Sequence, residues 1–332
     1  MIDRCLISIK EQRFKSSLLE VISNAKQSIY IVCFEVSSNE IINQLINKCQ
    51  QGVEVSIVCE ERKSSEKLKV LKNNVNLNIL MSKPNMVWNA LHQKIIIIDR
   101  KTLIFGTFNL SDRSLNNDIE LYFESTDKKL LKQAVTNYQF VTKILTDDLN
   151  QSHVHQNDSS TITTEKYEGL VFSNNYKMFD ILQKYILGAK KSITIFASHQ
   201  ISSEVIRLLE KIDTDKVKIR IYVDISVLKE VQLNHRLVRK IRFIKTDGKM
   251  HIKAILIDEN QYLIGSLNLF NRSLNEDQEF LFIGNNSYFF KHLNKVLLQV
   301  SELSETIKLK TCINILLMRM KKLFKKIKRG FS

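Results

Sequence analysis

The stretch LHQKIIIIDRKTLIFGTFNLSDRS, residues 91–114, places a histidine and a lysine directly before an unbroken apolar run. The four isoleucines at 95–98 are β-branched, and such a run predicts a short strand that is buried on both faces. Side chains alternate across a strand, so His92 and Lys94 share one face and Asp99 has the opposite parity. The spacing therefore predicts a functional role for the first two residues and a structural role for the aspartate.

A second copy of this pattern, HIKAILIDENQYLIGSLNLFNRSLNEDQE at residues 251–279, matches residues 92–120 without a gap. The identical residues at equal offsets include His92 and His251, Lys94 and Lys253, Asp99 and Asp258, Gly106 and Gly265, Asn109 and Asn268, Arg113 and Arg272, Ser114 and Ser273, Asp118 and Asp277, and Glu120 and Glu279. The similarity continues upstream, where residues 24–60 align with residues 188–224. The chain therefore contains an internal duplication.

Each repeat predicts the same order of elements: a helix, a strand, a second helix, a second strand, the motif strands and a closing helix. This alternation is typical of the α/β class. The first repeat is longer than the second between residues 60 and 92, in a polar stretch that holds the only proline and the only tryptophan of the chain. We expect this stretch to be a loop that faces the substrate.

The doubled signature is His-x-Lys, four residues, Asp, six residues, Gly-Thr or Gly-Ser, one residue and Asn. It resembles the signature that members of the phospholipase D superfamily carry twice, and the resemblance covers about residues 10–290. It implies duplicated α/β/α domains related by pseudo-two-fold symmetry, with both motifs facing one central active-site cleft. It also implies phosphodiester chemistry without a metal or a cofactor.

The predicted organisation has four parts. Residues 1–148 form the first phospholipase D-like repeat, residues 149–168 a polar linker, residues 169–304 the second repeat, and residues 305–332 a basic amphipathic tail. Because one chain supplies both motifs, we do not expect the active site to require an oligomer.

Two histidines suit the cleavage of a phosphodiester, which needs a nucleophile at phosphorus and a proton for the departing oxygen. A neutral imidazole can attack and a protonated imidazole can donate, and one ring cannot do both at once. By resemblance, His92 forms a phosphohistidine intermediate. His251 then acts first as general acid and later as general base for the incoming water or alcohol.

Four further residues form the predicted phosphate-binding set. Lys94 and Lys253 supply positive charge to phosphoryl oxygens during in-line displacement. Asn109 and Asn268 supply amide donors to the same oxygens. Together these side chains would stabilise the charge that a metal ion stabilises in other phosphodiesterases.

Glu120 and Glu279 each follow the histidine of their own repeat by 28 residues. A carboxylate on the second imidazole nitrogen fixes the tautomer and orientation of the ring, and the resemblance implies such a carboxylate at this position. Asp99 and Asp258 belong to the signature and enter the candidate catalytic set with the histidines, lysines and glutamates. Their parity nevertheless predicts that they hold a loop or a helix end.

Glu35 and His199 occupy equivalent positions at the carboxyl end of the first strand in each repeat, where clefts form in α/β sheets. Either residue could line the pocket or make a local hydrogen bond. The local hydrogen bond is the prediction for both.

Composition favours a cytoplasmic protein. The five cysteines form no paired spacing, and the N-terminal sequence has no sustained apolar segment. A run of about 18 uncharged apolar residues, the length of a membrane span, does not occur in the sequence.

The C-terminal tail carries much of the net charge of +15, because residues 306–332 contain nine Lys and Arg and no acidic residue. Its apolar residues recur at helical spacing, which predicts a basic amphipathic helix. Three interpretations stay open: the helix packs on the domain, lies peripherally on an anionic membrane, or contacts nucleic acid.

These features favour a phospholipid hydrolase or phosphatidyltransferase. The tail supports this function, and the Arg-Ser pair that follows Gly-x-x-Asn in both repeats resembles cardiolipin synthases and lipid-acting phospholipases D. The alternative is a nuclease that cleaves DNA or RNA, which the net charge supports. A non-catalytic binding module is disfavoured because both histidines and both lysines are present.

We expect hydrolysis of a generic phosphodiester to survive an excess of EDTA, because the signature contains no cluster of carboxylates that would hold a divalent cation. The measurement is release of nitrophenol from bis(4-nitrophenyl) phosphate with and without the chelator. Complete loss of activity in EDTA, restored by added metal, would contradict metal independence.

Overall fold

The computed structural model describes residues 2–9, 14–68, 76–83, 88–146, 168–174, 177–224, 226, 240–244 and 248–305. The predicted linker, apart from its last residue, and the tail from residue 306 onward lie outside the described residues. Part of the stretch between residues 60 and 92 lies outside them as well. The described part of that stretch includes a helix and a strand, so the expectation of a loop alone is wrong there.

The first repeat alternates strands and helices as its sequence predicts. Its elements are β1 (Arg4–Ile7), α1 (Lys15–Asn24), β2 (Ser28–Cys33), α2 (Asn39–Gln50), β3 (Glu54–Glu60), α3 (Glu61–Leu68), β4 (Leu77–Ser82), β5 (Lys94–Ile98), β6 (Thr102–Gly106), α4 (Asp112–Asn116), β7 (Leu121–Ser125) and α5 (Lys128–Thr146).

The second repeat follows the same order. Its elements are β8 (Gly169–Phe172), α6 (Met178–Gly188), β9 (Ser192–Ala197), α7 (Ser203–Glu210), β10 (Lys218–Asp224), β11 (Ile241–Ile244), β12 (Lys253–Ile257), β13 (Gln261–Gly265), α8 (Asn271–Asn275), β14 (Phe280–Gly284), α9 (Ser287–Ser301) and β15 (Ser304–Glu305). The domain boundaries at residues 148, 168 and 304 stay a prediction.

The two repeats build sheets with the same strand order. The first sheet runs β1-β7-β6-β5-β2-β3-β4, and the second runs β8-β14-β13-β12-β9-β10-β11 with β15 added at the edge. Strands β2, β3 and β4 pair in parallel, as do β9, β10 and β11, while the other neighbours are antiparallel. The predicted α/β duplication is therefore confirmed, and β1 and β8 are edge strands that the sequence patterns did not predict.

Strand β5 is buried on both faces, as its isoleucine run predicts. Ile95 and Ile97 face the apolar layer between the sheets, whereas Ile96 and Ile98 face the layer beneath the helices of their own repeat. None of the four is more than 4% exposed. Burial of such a side chain contributes about 1.5–3 kcal/mol, so this strand anchors the motif histidine to two cores at once.

An aromatic layer joins the inward faces of the two sheets. Phe105 of β6 lies 5.3 Å from Phe282 and 6.2 Å from Phe280, both of β14, between ring centroids. Phe123 of β7 stacks on Phe105 at 5.2 Å. All four rings are fully buried, so the repeats share one core across their pseudo-two-fold axis.

Backbone hydrogen bonds tie each motif to the other repeat. The N–H of His92 donates to the carbonyl oxygen of Gln278, and the N–H of His251 donates to that of Ile119, both at 2.9 Å. Gln278 and Ile119 lie two residues before β14 and β7, the strands that close each motif. Each histidine is therefore aligned beside the closing strand of the opposite repeat.

Asp99 and Asp258 follow strands β5 and β12 in left-handed backbone conformations, with φ of 53° and 52°. The Asp99 carboxylate accepts the backbone N–H groups of Lys26, Gln27 and Ser28 at 2.7 to 3.1 Å. Asp258 makes the same set of bonds in the second repeat. Each carboxylate ties the far end of its motif strand to the neighbouring strand, about 20 Å from the histidine at the usual rise per residue. Placing these aspartates in the catalytic set is therefore wrong, and the structural role that parity predicts is confirmed.

We expect Asp99→Ala to lower the free energy of unfolding by about 1–3 kcal/mol, because the substitution removes the acceptor of backbone N–H groups at a turn. Turnover per folded molecule should stay within about twofold of the native value, since the carboxylate lies far from the cleft. Urea denaturation and a diesterase assay measure the two quantities, and Asp258→Ala is the matched variant. Lost turnover at unchanged stability would return Asp99 to the catalytic set.

Candidate active site

His92 and His251 line one cleft of about 500 Å³. Each precedes its motif strand by two residues, so the two strand entrances meet at the cleft. The side chain of each histidine is 12% exposed. Asn109 and Asn268 line the same cleft, so the structure brings the two motifs together as the duplication predicts.

The carboxylates that hold the histidines cross between the repeats. Nδ1 of His92 lies 3.0 Å from Glu279, and Nδ1 of His251 lies 2.7 Å from Glu120. Each glutamate therefore contacts the histidine of the opposite repeat and not the histidine that lies 28 residues before it in the sequence. The physical reason is the backbone alignment described above, which sets each histidine beside the residue that precedes the opposite glutamate. With Nδ1 engaged, Nε2 of each ring is the atom available for chemistry.

Hydroxyl groups hold the two carboxylates in place. Glu120 accepts from Thr107 Oγ1 and from Ser114 Oγ, both at 2.6 Å. Glu279 accepts from the hydroxyl of Ser273, the equivalent of Ser114. Each of these serines also accepts the backbone N–H of the motif asparagine in its own repeat. The Ser of the Arg-Ser pair is therefore a link between the asparagine loop and the buried carboxylate.

Burial sets the protonation of the two imidazole–carboxyl pairs. It raises the pKa of Glu120 to about 7 and that of Glu279 to about 8, while the motif lysines act in the opposite direction. Burial also lowers the pKa of His92 and of His251 well below the ordinary value, and the same lysines lower it further. Each pair therefore holds one ionisable proton near neutral pH.

Lys94 and Lys253 are buried beside the histidines. Nζ of Lys94 donates to the carbonyl oxygen of His92 at 2.6 Å, and Nζ of Lys253 donates to that of His251 at 2.7 Å. Burial lowers the pKa of both ammonium groups, and the buried glutamates oppose that shift. Because an ammonium group has three N–H donors, each lysine can hold the motif backbone and also face a phosphoryl oxygen.

The side-chain amides of the two motif asparagines differ in their hydrogen bonding. Asn268 Oδ1 accepts from Ser198 Oγ at 2.9 Å, so its NH₂ group is the part of the amide left to a ligand. Asn109 Oδ1 is buried and has no hydrogen-bond partner among the described residues. A buried polar atom of this kind is a place where a bound group would complete the hydrogen bonding.

The equivalent residues Glu35 and His199 have different surroundings. Glu35 accepts from Ser37 Oγ at 2.8 Å, which agrees with the predicted local hydrogen bond. His199 instead lines the cleft, with its ring centroid 6.2 Å from that of His251. The prediction of a merely local role is therefore wrong for His199.

Five further residues line the cleft without a catalytic or binding role predicted from the sequence, namely Phe34, Gln200, Phe270, Arg272 and Asp277. Arg272 and Asp277 form an ion pair, with Nε 3.1 Å from the carboxylate. Their recurrence in both repeats was a signal that could have found them. The two phenylalanines and Gln200 are not repeated in type, so the duplication gave no signal for these three residues.

Two acidic residues fix the backbone directly before the histidines. The N–H of Leu91 donates to Glu60 at 3.1 Å, and the N–H of Met250 donates to Asp224 at 2.6 Å. Glu60 and Asp224 end the equivalent strands β3 and β10. These two residues occupy equivalent positions in the aligned repeats, and a carboxylate at the same strand end in both repeats is the sequence signal for this role.

Within the described ranges, no group of three or more His, Cys, Asp and Glu side chains is arranged to hold a metal ion. Metal independence stays a prediction. In the same part of the chain, no helix is both long enough and apolar enough to cross a bilayer.

A family model described as "Cardiolipin synthase, PLD-like domain" matches residues 18–140 and 182–300, one segment in each repeat. The chain belongs to the phospholipase D-like domain family. A Rickettsia prowazekii protein named "Phospholipase D" is 28% identical over 125 residues, which are 36% of this chain and 58% of that protein. The match to this relative therefore spans little more than half of its length.

Solved structures show the same fold as this phospholipase D-like chain. The phosphatidylserine synthase of Haemophilus influenzae has a TM-score of 0.75 at 15% identity, with 95% of this chain and 91% of that chain covered. The polyphosphate kinase of Porphyromonas gingivalis has a TM-score of 0.62 at 13% identity, with 89% of this chain and 50% of that chain covered. At these identities the likeness concerns the fold alone.

We expect Glu279→Gln to disturb His92, and Glu120→Gln to disturb His251, because the carboxylates cross between the repeats of this phospholipase D-like chain. At about pH 9, above the carboxyl pKa values of about 7 and 8, each Nδ1–H donates to a carboxylate and should give a downfield proton resonance. Assignment by single His→Asn variants identifies the two signals.

Glu279→Gln should remove or shift the His92 signal and leave that of His251 in place, with kcat lowered by about 10² to 10⁴. Glu120→Gln is the matched variant with the reverse result on the two signals. If each variant instead affects the histidine of its own repeat, the crossed arrangement is wrong.

Proposed function

We propose that this protein is a metal-independent phosphodiesterase that acts through a phosphohistidine at His92. The observation that carries the proposal is the pair of histidines in one cleft, each with Nδ1 held by a buried carboxylate of the opposite repeat. This arrangement leaves two Nε2 atoms for two different tasks at one phosphorus.

In the first step, Nε2 of His92 attacks phosphorus while the bond from phosphorus to the leaving oxygen breaks. His251 gives the proton on its Nε2 to that oxygen, so the leaving group departs as a neutral alcohol. In the second step, His251 takes a proton from water or from a second alcohol, whose oxygen attacks phosphorus. The bond between phosphorus and His92 breaks, which restores both imidazoles to their starting states.

The raised carboxyl pKa values support this exchange of roles. Before substrate binds, the proton of the Glu120–His251 pair lies on the carboxyl, because burial raises the pKa of Glu120 to about 7 and lowers the pKa of His251 well below its ordinary value. An anionic phosphodiester beside Nε2 favours the imidazolium form, so substrate binding draws the proton of the Glu120 pair onto His251. Lys94, Lys253 and the amide of Asn268 then stabilise the charge of the phosphoryl oxygens.

The pKa values of the two carboxyls are similar, about 7 for Glu120 and about 8 for Glu279, and burial lowers the pKa of both histidines, so protonation alone does not decide which histidine attacks. The assignment of His92 as nucleophile comes from the family resemblance, and trapping the intermediate tests it directly.

A phospholipid is the favoured substrate class, with hydrolysis or transfer of the phosphatidyl group as the reaction. The family description names cardiolipin synthase, and the matched Rickettsia protein is named phospholipase D. Phe34 and Phe270 add apolar surface to the cleft. We further propose that the protein is cytoplasmic, that residues 306–332 contact anionic membrane peripherally, and that a single chain suffices for activity.

A nuclease is the second candidate. The net charge of +15 favours a polyanionic partner. The aromatic side chains in the cleft also offer flat surfaces on which nucleic-acid bases could stack.

The deciding experiment assays the full chain on labelled phospholipid vesicles, single- and double-stranded DNA, and RNA. We expect head-group release from lipid, loss of at least about 10³ in kcat for His92→Asn and for His251→Asn, and little turnover of nucleic acid. Acid-labile label trapped on the enzyme should map by mass spectrometry to His92.

Asp99→Asn is the matched control, since it alters a motif residue outside the cleft. Label on His251 would reverse the two roles, and efficient nuclease activity without lipid turnover would select the second candidate. Normal turnover in both histidine variants would overturn the phosphodiesterase itself.

A further inference from the structure

The walls beside the two histidines differ, although the repeats are otherwise equivalent. Beside His92 lies Phe34, whose ring approaches edge-on with centroids 5.1 Å apart. Beside His251 lies His199, also edge-on, with centroids 6.2 Å apart. One wall is therefore apolar, and the other carries a second imidazole.

A lysine accompanies the additional imidazole. Nζ of Lys249 lies 3.1 Å from Nε2 and 3.4 Å from Nδ1 of His199. The first repeat has Ala90 at the position equivalent to Lys249 and Glu35 at the position equivalent to His199. The combination of amine and imidazole therefore occurs beside His251 and has no counterpart beside His92.

The state of this pair follows from its surroundings. The pKa of His199 is lowered to about 2, mainly by burial and secondly by the positive charge of Lys249. The ring is therefore neutral and accepts a hydrogen bond from the ammonium group. Burial also lowers the pKa of Lys249, but Asp224 opposes that shift, and Asp118 and Glu120 oppose it as well.

The two arginines of the repeated Arg-Ser pairs have carboxylate partners. Arg272 pairs with Asp277 at 3.1 Å, and the equivalent Arg113 pairs with Asp118 at 3.3 Å. For Lys249, no carboxylate of the described residues lies within ion-pair distance of Nζ. This half-buried ammonium group is thus held by a neutral ring rather than by an opposite charge.

We propose that Lys249 and His199 form a subsite for an anionic group on the alcohol portion of the diester that His251 protonates. The proposal rests on the phosphodiesterase function described above. Phosphate and carboxylate share the required chemistry, which is negative charge with several acceptor oxygens. Lys249 uses one N–H on His199 and offers the others to the anion. The apolar wall at Phe34 offers no such donor. An anionic group on the diester is therefore bound on the His251 side of the phosphorus and not on the His92 side.

Matched lipid pairs test the subsite. Dihexanoyl phosphatidylserine differs from dihexanoyl phosphatidylethanolamine by one carboxylate, and phosphatidylglycerol phosphate differs from phosphatidylglycerol by one phosphate. For the native chain we expect kcat/KM to favour the anionic member of at least one pair by about tenfold or more, mainly through KM. The pair that shows the preference identifies the recognised group.

Lys249→Gln should lower that preference by about tenfold, and His199→Phe should lower it because the ring loses its acceptor for the ammonium group. Lys249→Arg should retain most of it. Lys216→Gln is the charge-matched control, because Lys216 is 81% exposed and pairs locally with Asp213. The control should keep the native preference, which separates a local contact from a general effect of net charge.

The outcomes separate this inference from the proposed function. Turnover of the lipids without preference for either anionic member overturns the subsite and leaves the phosphodiesterase standing. A native preference that survives in soluble, folded Lys249→Gln and His199→Phe also overturns it. Failure of the native chain to cleave any of these lipids, or bis(4-nitrophenyl) phosphate, overturns the proposed function together with the subsite.

Discussion

The exchange of carboxylates between the repeats is the constraint on which the active site depends. His92 is oriented by Glu279 and His251 by Glu120, so neither repeat contains a complete imidazole–carboxylate pair of its own. The same alignment places the two Nε2 atoms in one cleft. Packing of the two sheets and assembly of the catalytic groups are therefore one event, and a shift of one repeat against the other would disturb both pairs together.

This arrangement is costly in isolation, because each buried ion costs several kcal/mol in lost hydration even after relaxation. Attraction between the lysines and glutamates offsets part of this cost, as do the hydroxyl groups of Thr107, Ser114 and Ser273. The aromatic layer between the sheets supplies the apolar burial that holds the repeats in register. Stability thus comes mainly from the shared core, and the polar site is held in shape by it.

Much of the fold was predictable, because the local pattern of apolar residues predicts strand burial and the repeated motif reveals the duplication. The run of isoleucines in β5 predicted a strand that is buried on both faces. The alternation of side chains along that strand predicted different roles for His92 and Asp99, because they lie on opposite faces. The crossing was not predictable, because Glu120 and Glu279 have the same spacing from their own histidines and spacing does not say which repeat a side chain meets. The role of His199 was not predictable for a similar reason, since its neighbour Lys249 is distant in sequence and Ala90 stands at the equivalent position of the first repeat.

The crossed pairs also bear on how a gene duplication can evolve. An ancestral single repeat would build the same cleft only as a homodimer, in which the carboxylate of each subunit orients the histidine of the other subunit. Once both copies are joined in one chain, the two sides of the cleft no longer need to be alike. The residues of its walls can then diverge, whereas the carboxylates that orient the opposite histidines cannot. Phe34 on one side and His199 with Lys249 on the other are the kind of divergence that fusion permits and that a symmetric dimer forbids.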